Sequence, residues 1–422
     1  MSQTLDVHPD LTAHNSQFPR SHMRLGRSVH GFVGYAASNV YVIEGDAALC
    51  VVDTTESTGA AAAIWADLRK LTDKPVTQIV YTHAHRDHIS GASVFAQGGA
   101  PEIIAWHGFA SDIVGELDGM QKVIAKRTGA QFGIGLSFPA ERVNLGCGPG
   151  DRPTEGLGAG HLAPTMLIHD PATQAQLAGM PVQLLHIPGE TPDHMLIWMP
   201  DDGLLISGDN FYHAFPNLSP LRGTPYRDFG LWASGLDQMA ALSPRILCPG
   251  HTLPVTGEAA IAERLQTTAA AIRHVMQSTE QGLMDGRPLD QIAAEAALPE
   301  ALATLPWLAP LYGRLDWAVR AYAAGTLGWF DGAPVNIGRM PPRDEAARFV
   351  ALAGGVEAVR QAAQNSDDPQ WALELAERLH LLGAPVHSLR ITALRALAEA
   401  QINPTARNYY LTAAKAIEAT AP

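Results

Sequence analysis

Short runs of β-branched and aliphatic residues, separated by turn residues, recur through the first part of the chain. Residues 39–44 (NVYVIE) and 47–52 (ALCVVD) lie on either side of a Gly-Asp pair, a pattern that predicts a β-hairpin. Residues 60–71 then have the spacing of a helix, and residues 76–81 (VTQIVY) form an apolar run typical of a strand. The order strand, helix, strand predicts a layered α/β arrangement.

A second set of strand-like runs follows a stretch rich in glycine and turn residues. That stretch, about residues 114–165, predicts loops and short helices over the sheet. The later strands are expected at residues 182–187, 195–199, 204–207 and 245–248. Each of them ends in a cluster of polar residues. Because loops at strand ends are where a rigid sheet usually presents its chemistry, we expect a functional site at this edge.

The pattern changes beyond about residue 257, where Ala and Leu recur at helical spacing and strand signals almost disappear. The clearest helix is expected at residues 369–382, because Asp368 can cap its first turn and a glycine and a proline follow its end. Two further amphipathic stretches, near residues 388–400 and 405–419, favour a plain helical bundle over a tandem repeat.

The 422 residues allow two or three domains, and these patterns divide them into three segments. The first forty residues mix Pro, His, Ser and Arg without clear periodicity. We therefore predict an N-terminal arm over residues 1–30, an α/β domain over residues 31–257 and an all-helical domain over residues 258–422.

Composition and charge narrow the classes of function. The 29 basic residues are outnumbered by 42 acidic ones, giving a net charge of −13, which disfavours a nucleic-acid or anionic-membrane partner. No run of about 18 apolar residues is present, and the start of the chain lacks a signal-peptide pattern, so a cytoplasmic location is expected. Three scattered cysteines are too few for a disulfide framework or a cysteine-rich zinc site, and they are Cys50, Cys147 and Cys248.

The densest chemical signal is YTHAHRDH at residues 81–88, directly after a predicted strand. Imidazoles with a carboxylate are the ligands that a borderline metal such as zinc prefers. In an extended segment His83 and His85 point the same way, whereas Asp87 and His88 lie around the turn and can face a second ion. The spacing therefore suits two metals a few Å apart, and a chance surface cluster of histidines is the disfavoured alternative.

Three later residues, each beside a glycine or a strand end, complete this set: His194, Asp209 and His251. Any one of them alone is more often structural. Following the first motif in this order, the three are predicted to be ligands, because glycine lets the backbone approach a metal closely.

Together these motifs resemble the metallo-β-lactamase fold hydrolases over about residues 30–257. The resemblance implies an αββα sandwich and two divalent ions, with zinc the expected metal and Mn or Fe possible with the same ligands. It implies a water or hydroxide between the ions as the nucleophile, because metal coordination lowers its pKa. It places the ligands in three sets: His83, His85 and His194 on one ion, Asp87, His88 and His251 on the other, and Asp209 bridging. Asp87 is also a candidate catalytic residue.

Narrower features are similar to the alkyl sulfatase branch of that family. Asn217 and Arg222 lie five residues apart after the bridging carboxylate, as does the pair that binds sulfate in that branch. Arg222 offers a planar fork to a tetrahedral oxyanion and Asn217 a neutral donor, although an ordinary ion pair is the alternative for Arg222. The segments GLG at residues 156–158, with APT at 163–165, also resemble that branch. GWFDG at residues 328–332 resembles the start of its dimerisation domain, which implies a homodimer.

The chain departs from that branch at several positions. The branch uses glutamates where we align His194 and Asp209, a tyrosine where this chain has Phe132 before Gly133, and a histidine where it has Pro216. The branch's C-terminal sterol-carrier-like domain is also expected to be missing. Its absence suggests a smaller or more polar alcohol than a detergent chain.

The predicted function is therefore hydrolysis of an alkyl sulfate, with a small anionic ester as the partner. His213, four residues after Asp209, is a candidate proton donor to the leaving group, and a loop histidine bonded to backbone is the alternative. A second hypothesis keeps the metal site and changes the substrate to a phosphodiester, phosphotriester, lactone or β-lactam. A third, from another class, is a non-catalytic metal-binding assembly protein whose helical half binds partners.

Overall fold

Two β-sheets stacked face to face form the centre of the first part of the molecule. The structure is a computed structural model, and it describes residues 5–110 and 119–420. The first sheet has seven strands in chain order, antiparallel from β1 to β4 and parallel from β4 to β7. These strands are β1 Ser21–Leu25, β2 Val29–Val33, β3 Val40–Glu44, β4 Leu49–Val52, β5 Val76–Val80, β6 Glu102–Trp106 and β7 Met166–Ile168.

The second sheet has six strands in the order β13-β12-β11-β10-β9-β8. Only the pair β11 and β12 is parallel among these strands. Their bounds are β8 Ala172–Leu177, β9 Met180–His186, β10 Met195–Met199, β11 Leu204–Gly208, β12 Ile246–Pro249 and β13 Val255–Thr256.

Helices flank the sheets and make up the regular structure of the C-terminal part. The first six are α1 Pro9–Ala13, α2 Thr58–Leu68, α3 Arg86–Ile89, α4 Ala92–Ala96, α5 Gly119–Gln131 and α6 Phe229–Ala241. The others are α7 Glu258–Met284, α8 Leu289–Ala294, α9 Glu300–Ala303, α10 Leu315–Leu327, α11 Pro342–Leu352, α12 Val356–Gln364, α13 Pro369–Leu381, α14 His387–Glu399 and α15 Pro404–Glu418. Among the described helices, none is long and apolar enough to cross a bilayer.

Three apolar layers hold the two sheets between helices. The faces that meet in the middle bury side chains such as Val80 of the first sheet and Ile206 of the second. Ile64 of α2 packs on the outer face of the first sheet, and Trp232 of α6 packs on the outer face of the second. Burial of aliphatic and aromatic surface on both faces stabilises the stack. The predicted αββα sandwich followed by a helical segment is confirmed.

Helix α7 belongs to the packing of the second sheet although it lies beyond residue 257. Its side chains Ile261 and Leu265 are fully buried in one apolar core with Leu205 and Leu247 of β11 and β12. The predicted bounds of the three segments stay predictions, but the apolar core runs across the boundary at residue 257 without a break.

The N-terminal segment is more regular than its sequence indicates. Residues that we expected to form an irregular arm include β1, which pairs with β2 from Ser21 opposite Val33 to Leu25 opposite Val29. The sequence of β1, SHMRL, is mostly polar because it is an edge strand with alternate side chains in solvent. Pairing with the fully buried β2, rather than its own hydrophobicity, makes this segment a strand.

Candidate metal centre

Loops at one edge of the two sheets bring the predicted ligands together. The HxHxDH segment follows β5 and enters α3, Asp209 follows β11, and His251 follows β12. A fourth loop, after β9, carries Glu190 into the same place. Strand ends of two stacked sheets thus supply side chains that are far apart in sequence.

The side chains form two groups whose ligand atoms lie within 4.8 Å of one another: His83, His85, Glu190 and Asp209 in the first, and Asp87, His88 and His251 in the second. Asp209 contacts both groups. Its Oδ2 lies 3.7 Å from Nε2 of His83 and 3.0 Å from Nε2 of His251, and its Oδ1 lies 3.3 Å from Nε2 of His88. Nε2 of His251 is also 3.4 Å from Oδ2 of Asp87.

Several of these atoms are buried without a hydrogen-bond partner among the described residues. They are Nε2 of His88, Oε2 of Glu190 and Oδ1 of Asp209. Because buried polar atoms are nearly always hydrogen-bonded, three such atoms converging on one place fit metal ligands better than structural side chains. The residues present therefore fit divalent ions.

His88 and His251 are each held through the ring nitrogen that faces away from the two groups. Nδ1 of His88 lies 2.7 Å from Oδ2 of Asp53, and Nδ1 of His251 lies 2.7 Å from the carbonyl oxygen of Ala37. Asp53 also accepts hydrogen bonds from the amide and the hydroxyl of Thr82, both at 2.8 Å. Partners of this kind fix the tautomer and orientation of metal-binding histidines.

Asp53 is a residue that the sequence interpretation missed. It is buried at the end of β4, and its backbone has φ 58°, an unusual value for a residue other than glycine. The signal was present, because a carboxylate directly follows an apolar strand at the same sheet edge as the HxHxDH motif.

Gly250 allows the loops after β11 and β12 to approach each other. A Cβ atom at this position would lie 2.3 Å from Oδ1 of Asp209 and 2.9 Å from Cε1 of His88. Any other residue would displace the shared carboxylate, so the Pro-Gly-His sequence before and at His251 has a steric reason.

The electrostatics of the two groups favour a cation. Burial by itself lowers the pKa of His251, but the carboxylate of Asp209 outweighs it and raises that pKa to about 9. Burial would raise the pKa of Asp209, yet the neighbouring His251 and His88 hold it well below its usual value. A divalent cation can replace the protons that these histidines carry.

His194 does not join either group. Its ring stacks on that of His83 with centroids 4.1 Å apart, and its Nδ1 lies 2.7 Å from the hydroxyl of Thr191. Its Nε2 accepts a hydrogen bond from the amide of Asp209 at 3.0 Å, which occupies the lone pair that a metal would need. Burial lowers the pKa of His194 to about 3, so the ring is neutral.

Glu190, four residues before His194, lies where the sequence alignment placed the histidine. Its Oε2 is 3.4 Å from Nδ1 of His85. Its Oε1 accepts hydrogen bonds from the guanidinium of Arg227 and, at 3.2 Å, from the hydroxyl of Tyr212. One carboxylate oxygen is therefore held by the protein and the other faces the first group. The sequence shows Glu190 in the loop after β9, but the prediction assigned the metal ligand of that loop to His194 instead.

Arg222 reaches the first group and Asn217 lies one contact further away. Nη2 of Arg222 is 3.4 Å from Nε2 of His85, and its Nη1 donates to the carbonyl oxygen of Gly223 at 3.0 Å. Asn217 is buried, its Oδ1 has no partner among the described residues, and its carbonyl oxygen accepts a hydrogen bond from Arg227 at 2.6 Å. The guanidinium of Arg227 thus connects the Asn217 backbone with Glu190.

His213 lies in a different environment. Its ring contacts that of Trp307 with centroids 6.4 Å apart, and its amide donates to the hydroxyl of Thr252. No hydrogen bond or ring contact joins it to either ligand group within the described ranges. Burial, with the nearby His14 and Arg264, lowers its pKa to about 4, so its ring is uncharged at neutral pH and is not the imidazolium that a histidine general acid requires. The geometry favours the structural alternative for this residue.

Two family profiles match the chain. One, described as "Metallo-beta-lactamase superfamily", covers residues 33–251, and the other, described as "Alkyl sulfatase dimerisation", covers residues 288–420. The two matches fall on the α/β layers and on the helical segment respectively.

Individual proteins extend the similarity across nearly the whole chain. A linear primary-alkylsulfatase of a Pseudomonas strain is 34% identical over 391 residues, which are 89% of this chain and 73% of that protein. An alkyl/aryl-sulfatase of Saccharomyces cerevisiae is 29% identical over 411 residues, 94% of this chain and 63% of that protein. Among solved structures, a stereoselective inverting sec-alkylsulfatase from Pseudomonas sp. superposes with a TM-score of 0.88 at 26% identity, over 99% of this chain and 68% of that one.

These similarities agree with the resemblance predicted from the motifs. They cover both the sandwich and the helical segment, and the first relative exceeds 30% identity over most of its own length. The prediction of a metal-dependent ester hydrolase is confirmed at the level of the family. The chain therefore belongs to the alkylsulfatase family of the metallo-beta-lactamase superfamily.

Proposed function

We propose that this protein hydrolyses an alkyl sulfate ester at a site that holds two divalent metal ions, with zinc the expected metal. The observation that supports it most is the pair of ligand groups that share Asp209, with the guanidinium of Arg222 at 3.4 Å from His85. Metal ligands beside a half-buried guanidinium suit an anionic ester. The relatives described above are named as alkylsulfatases or as an alkyl/aryl-sulfatase.

The proposed ligand set differs from the sequence prediction at one residue. His83, His85 and Glu190 hold one ion, Asp87, His88 and His251 hold the other, and Asp209 contacts both. We propose Glu190 in place of His194 because its Oε2 is buried and unpaired, whereas both nitrogens of His194 are in hydrogen bonds.

When bound, such ions supply Lewis acidity toward the ester and lower the pKa of water at the site. The protein's own side chains bind and orient the sulfate group. Arg222 offers the sulfate two parallel donors and a positive charge, and Asn217 offers an amide from a buried position. The chain carries a net charge of −13, so it must attract an anionic substrate locally.

Among the carboxylates of the two groups, Asp87 is the most open. Its side chain is 29% exposed, compared with 5% for Asp209 and 2% for Glu190. We propose that Asp87 is both a ligand and the carboxylate that exchanges a proton with water in the pocket. His213 is not assigned a role in proton transfer, because no hydrogen bond or ring contact joins it to either ligand group in the described ranges and its ring is uncharged at neutral pH.

A kinetic panel tests the substrate class. Octyl sulfate, a bis-aryl phosphate, a lactone and a β-lactam are assayed side by side, with metal content measured on the same preparation. We expect two metal equivalents per chain and a kcat/KM for octyl sulfate at least tenfold above the others. Preference for a phosphate ester, lactone or β-lactam would replace the sulfatase proposal, and bound metal without any turnover would favour the non-catalytic assembly protein.

We also propose a homodimer formed through the helical segment. The loop between α10 and α11 exposes large apolar side chains: Trp329 is 80% exposed, Val335 77% and Ile337 70%. Such a patch is uncommon on a monomer and typical of an interface. Sedimentation of the wild type and of Trp329→Glu tests this, with a dimer that dissociates in the variant as the expected result.

A cytoplasmic location is proposed as well, because all three cysteines are buried free thiols.

A further inference from the structure

The contacts around Arg222 involve a part of the chain far from the metal ligands. The amide of Arg222 donates a hydrogen bond of 2.9 Å to Oε1 of Gln131, the last residue of α5. This bond fixes the backbone from which the Arg222 side chain reaches His85. The placement of the proposed sulfate ligand therefore depends on how Gln131 is held.

Gln131 has an unusual position for a polar residue. It is 0% exposed, and it is the only fully buried residue in α5, all of whose residues, 119–131, are described. Its Nε2 has no hydrogen-bond partner among the described residues. The other residues of α5 are exposed or half-buried, and an amide group buried without a partner costs free energy, so a structural core role does not account for Gln131.

The last helix of the chain holds Gln131 in place. The Nδ2 of Asn408 in α15, a residue that is also 0% exposed, donates to the carbonyl oxygen of Gln131 at 3.2 Å. Gly133, with φ +62°, brings the backbone so close that a Cβ there would lie 3.1 Å from Cγ of Asn408. The Phe132-Gly133 pair therefore lies directly beneath this helix.

Two other residues of α15 hold the segment that follows Gln131. Nε of Arg407 donates to the carbonyl oxygen of Glu141 at 3.2 Å, and Nζ of Lys415 donates to the carbonyl oxygen of Gly135 at 3.1 Å. Lys415 also pairs with the Glu141 carboxylate at 2.7 Å. The segment that begins with Gln131 is thus bound to α15 at several points, and among the described residues of α15 Asn408 is the one with a hydrogen bond to Gln131.

We infer that Gln131 is a positioning residue for Arg222, and that Asn408 of the helical segment sets its position. The inference rests on the proposed sulfate-binding role of Arg222. It extends the active site into α15, within the part of the chain that matches the dimerisation profile. The last helix then contributes to binding of the anion within its own chain, in addition to any part in assembly.

The test uses the full-length metal-loaded protein with octyl sulfate as substrate and inorganic sulfate as a competing anion. Gln131→Met should raise both the KM for octyl sulfate and the inhibition constant of sulfate by about tenfold, because a small misplacement of a binding group has effects of this order. Metal content should stay that of the wild type. Asn408→Ala should act in the same direction by about threefold, since it removes one contact of Gln131.

Lys415→Ala is the matched control, because it removes contacts of the same helix with the same segment but none with Gln131. It should change the two constants by less than about twofold. The double variant Gln131→Met with Asn408→Ala should be no weaker in sulfate binding than Gln131→Met alone, because Asn408 acts through Gln131.

The outcomes separate this inference from the proposed function. If the wild type neither hydrolyses octyl sulfate nor binds sulfate, both are overturned together. If the wild type does both but Gln131→Met leaves the KM for octyl sulfate and the inhibition constant of sulfate unchanged, only the positioning role of Gln131 is overturned. The same conclusion follows if Lys415→Ala raises these two constants as much as Asn408→Ala does. Should Gln131→Met fail to fold, Asn408→Ala against Lys415→Ala makes the same decision.

Discussion

The ligand groups and the surroundings of Arg222 are held in place by different kinds of contact. In the ligand groups, histidines and carboxylates face one another at 3.0–3.7 Å, and partners such as Asp53 orient them from behind. Around Arg222 the contacts are amide and backbone hydrogen bonds from elements that are distant in sequence, through Gln131. The first arrangement stabilises bound cations, and the second fixes the position of the Arg222 backbone.

This difference leads to separable effects of substitution. Loss of a ligand should change metal content and turnover together. Loss of a residue around Arg222 should change the binding of the anion and leave the metal in place. The comparison therefore predicts two classes of variant, distinguished by metal analysis on the purified protein.

The largest effect is expected for Asp209, which contacts both groups. Asp209→Ala should lower kcat for octyl sulfate by more than about 1,000-fold and reduce bound metal below one equivalent per chain, because both groups lose a ligand. Asp170→Ala, at an exposed acid after β7, is the control and should behave as the wild type. Full metal content in Asp209→Ala would contradict the shared-ligand assignment.

Substitution of Glu190 and of His194 tests which of the two is a metal ligand, since the structure favours Glu190 and the sequence predicted His194. Glu190→Gln should lower kcat by about 100-fold and leave one metal equivalent, since one ligand group loses its carboxylate. His194→Gln should keep two equivalents, because both ring nitrogens are already hydrogen-bonded. The reverse result, with metal lost only in His194→Gln, would restore the original assignment.

Arg222→Ala should fall in the second class. We expect kcat/KM for octyl sulfate to drop by about 10- to 100-fold, the value of a charge-assisted hydrogen bond, with two metals retained. Arg127→Ala is a nearby control, since this exposed arginine of α5 lies close to Gly223 without contacting either group by a hydrogen bond in the described ranges. Unchanged turnover in Arg222→Ala would show that the sulfate is bound elsewhere.

The smallest effect is expected for His213, and it should appear in stability rather than activity. The pKa of this histidine is about 4 in the folded protein and 6.5 in a free side chain, so the unfolded state takes up the proton at higher pH. The wild type should lose stability as pH falls from about 6.5 to 4, and His213→Gln should lose about 1–2 kcal/mol less over that range. Urea unfolding at pH 7 and pH 4.5 measures this.

Turnover at pH 8 provides the second measurement on that variant. Because the His213 ring contacts Trp307 rather than the ligand groups, kcat should stay within about twofold of the wild type. A fall of tenfold or more, with an altered alkaline limb of the pH profile, would reinstate His213 as a proton donor.

Local spacing made most of the proposed ligand set predictable. The HxHxDH segment fixes four side chains within six residues at the end of β5, so their convergence follows from strand and turn geometry alone. Asp209 and His251 each follow a buried strand directly, and their direction is likewise set by the sheet. Glu190 was not predicted, because the conformation of the eight-residue loop between β9 and β10 decides which of its side chains faces the other candidate ligands.

The contacts around Arg222 were beyond prediction for a different reason. Gln131 and Asn408 are separated by 277 positions, and nothing in either local sequence shows that they meet. The same holds for β1, whose polar sequence becomes a strand only through its partner β2. Tertiary pairing, rather than propensity, determines these elements.

The burial of α7 against the second sheet has a consequence for exchange of segments between proteins. Ile261, Leu265 and Ile272 close an apolar surface formed by β11, β12 and α6. A gene fusion that joins a foreign sequence at residue 257 would leave that surface open to water and favour aggregation. The same core continues through Ile292 of α8 to Tyr322 of α10, so the two parts of this chain are not interchangeable modules at residue 257.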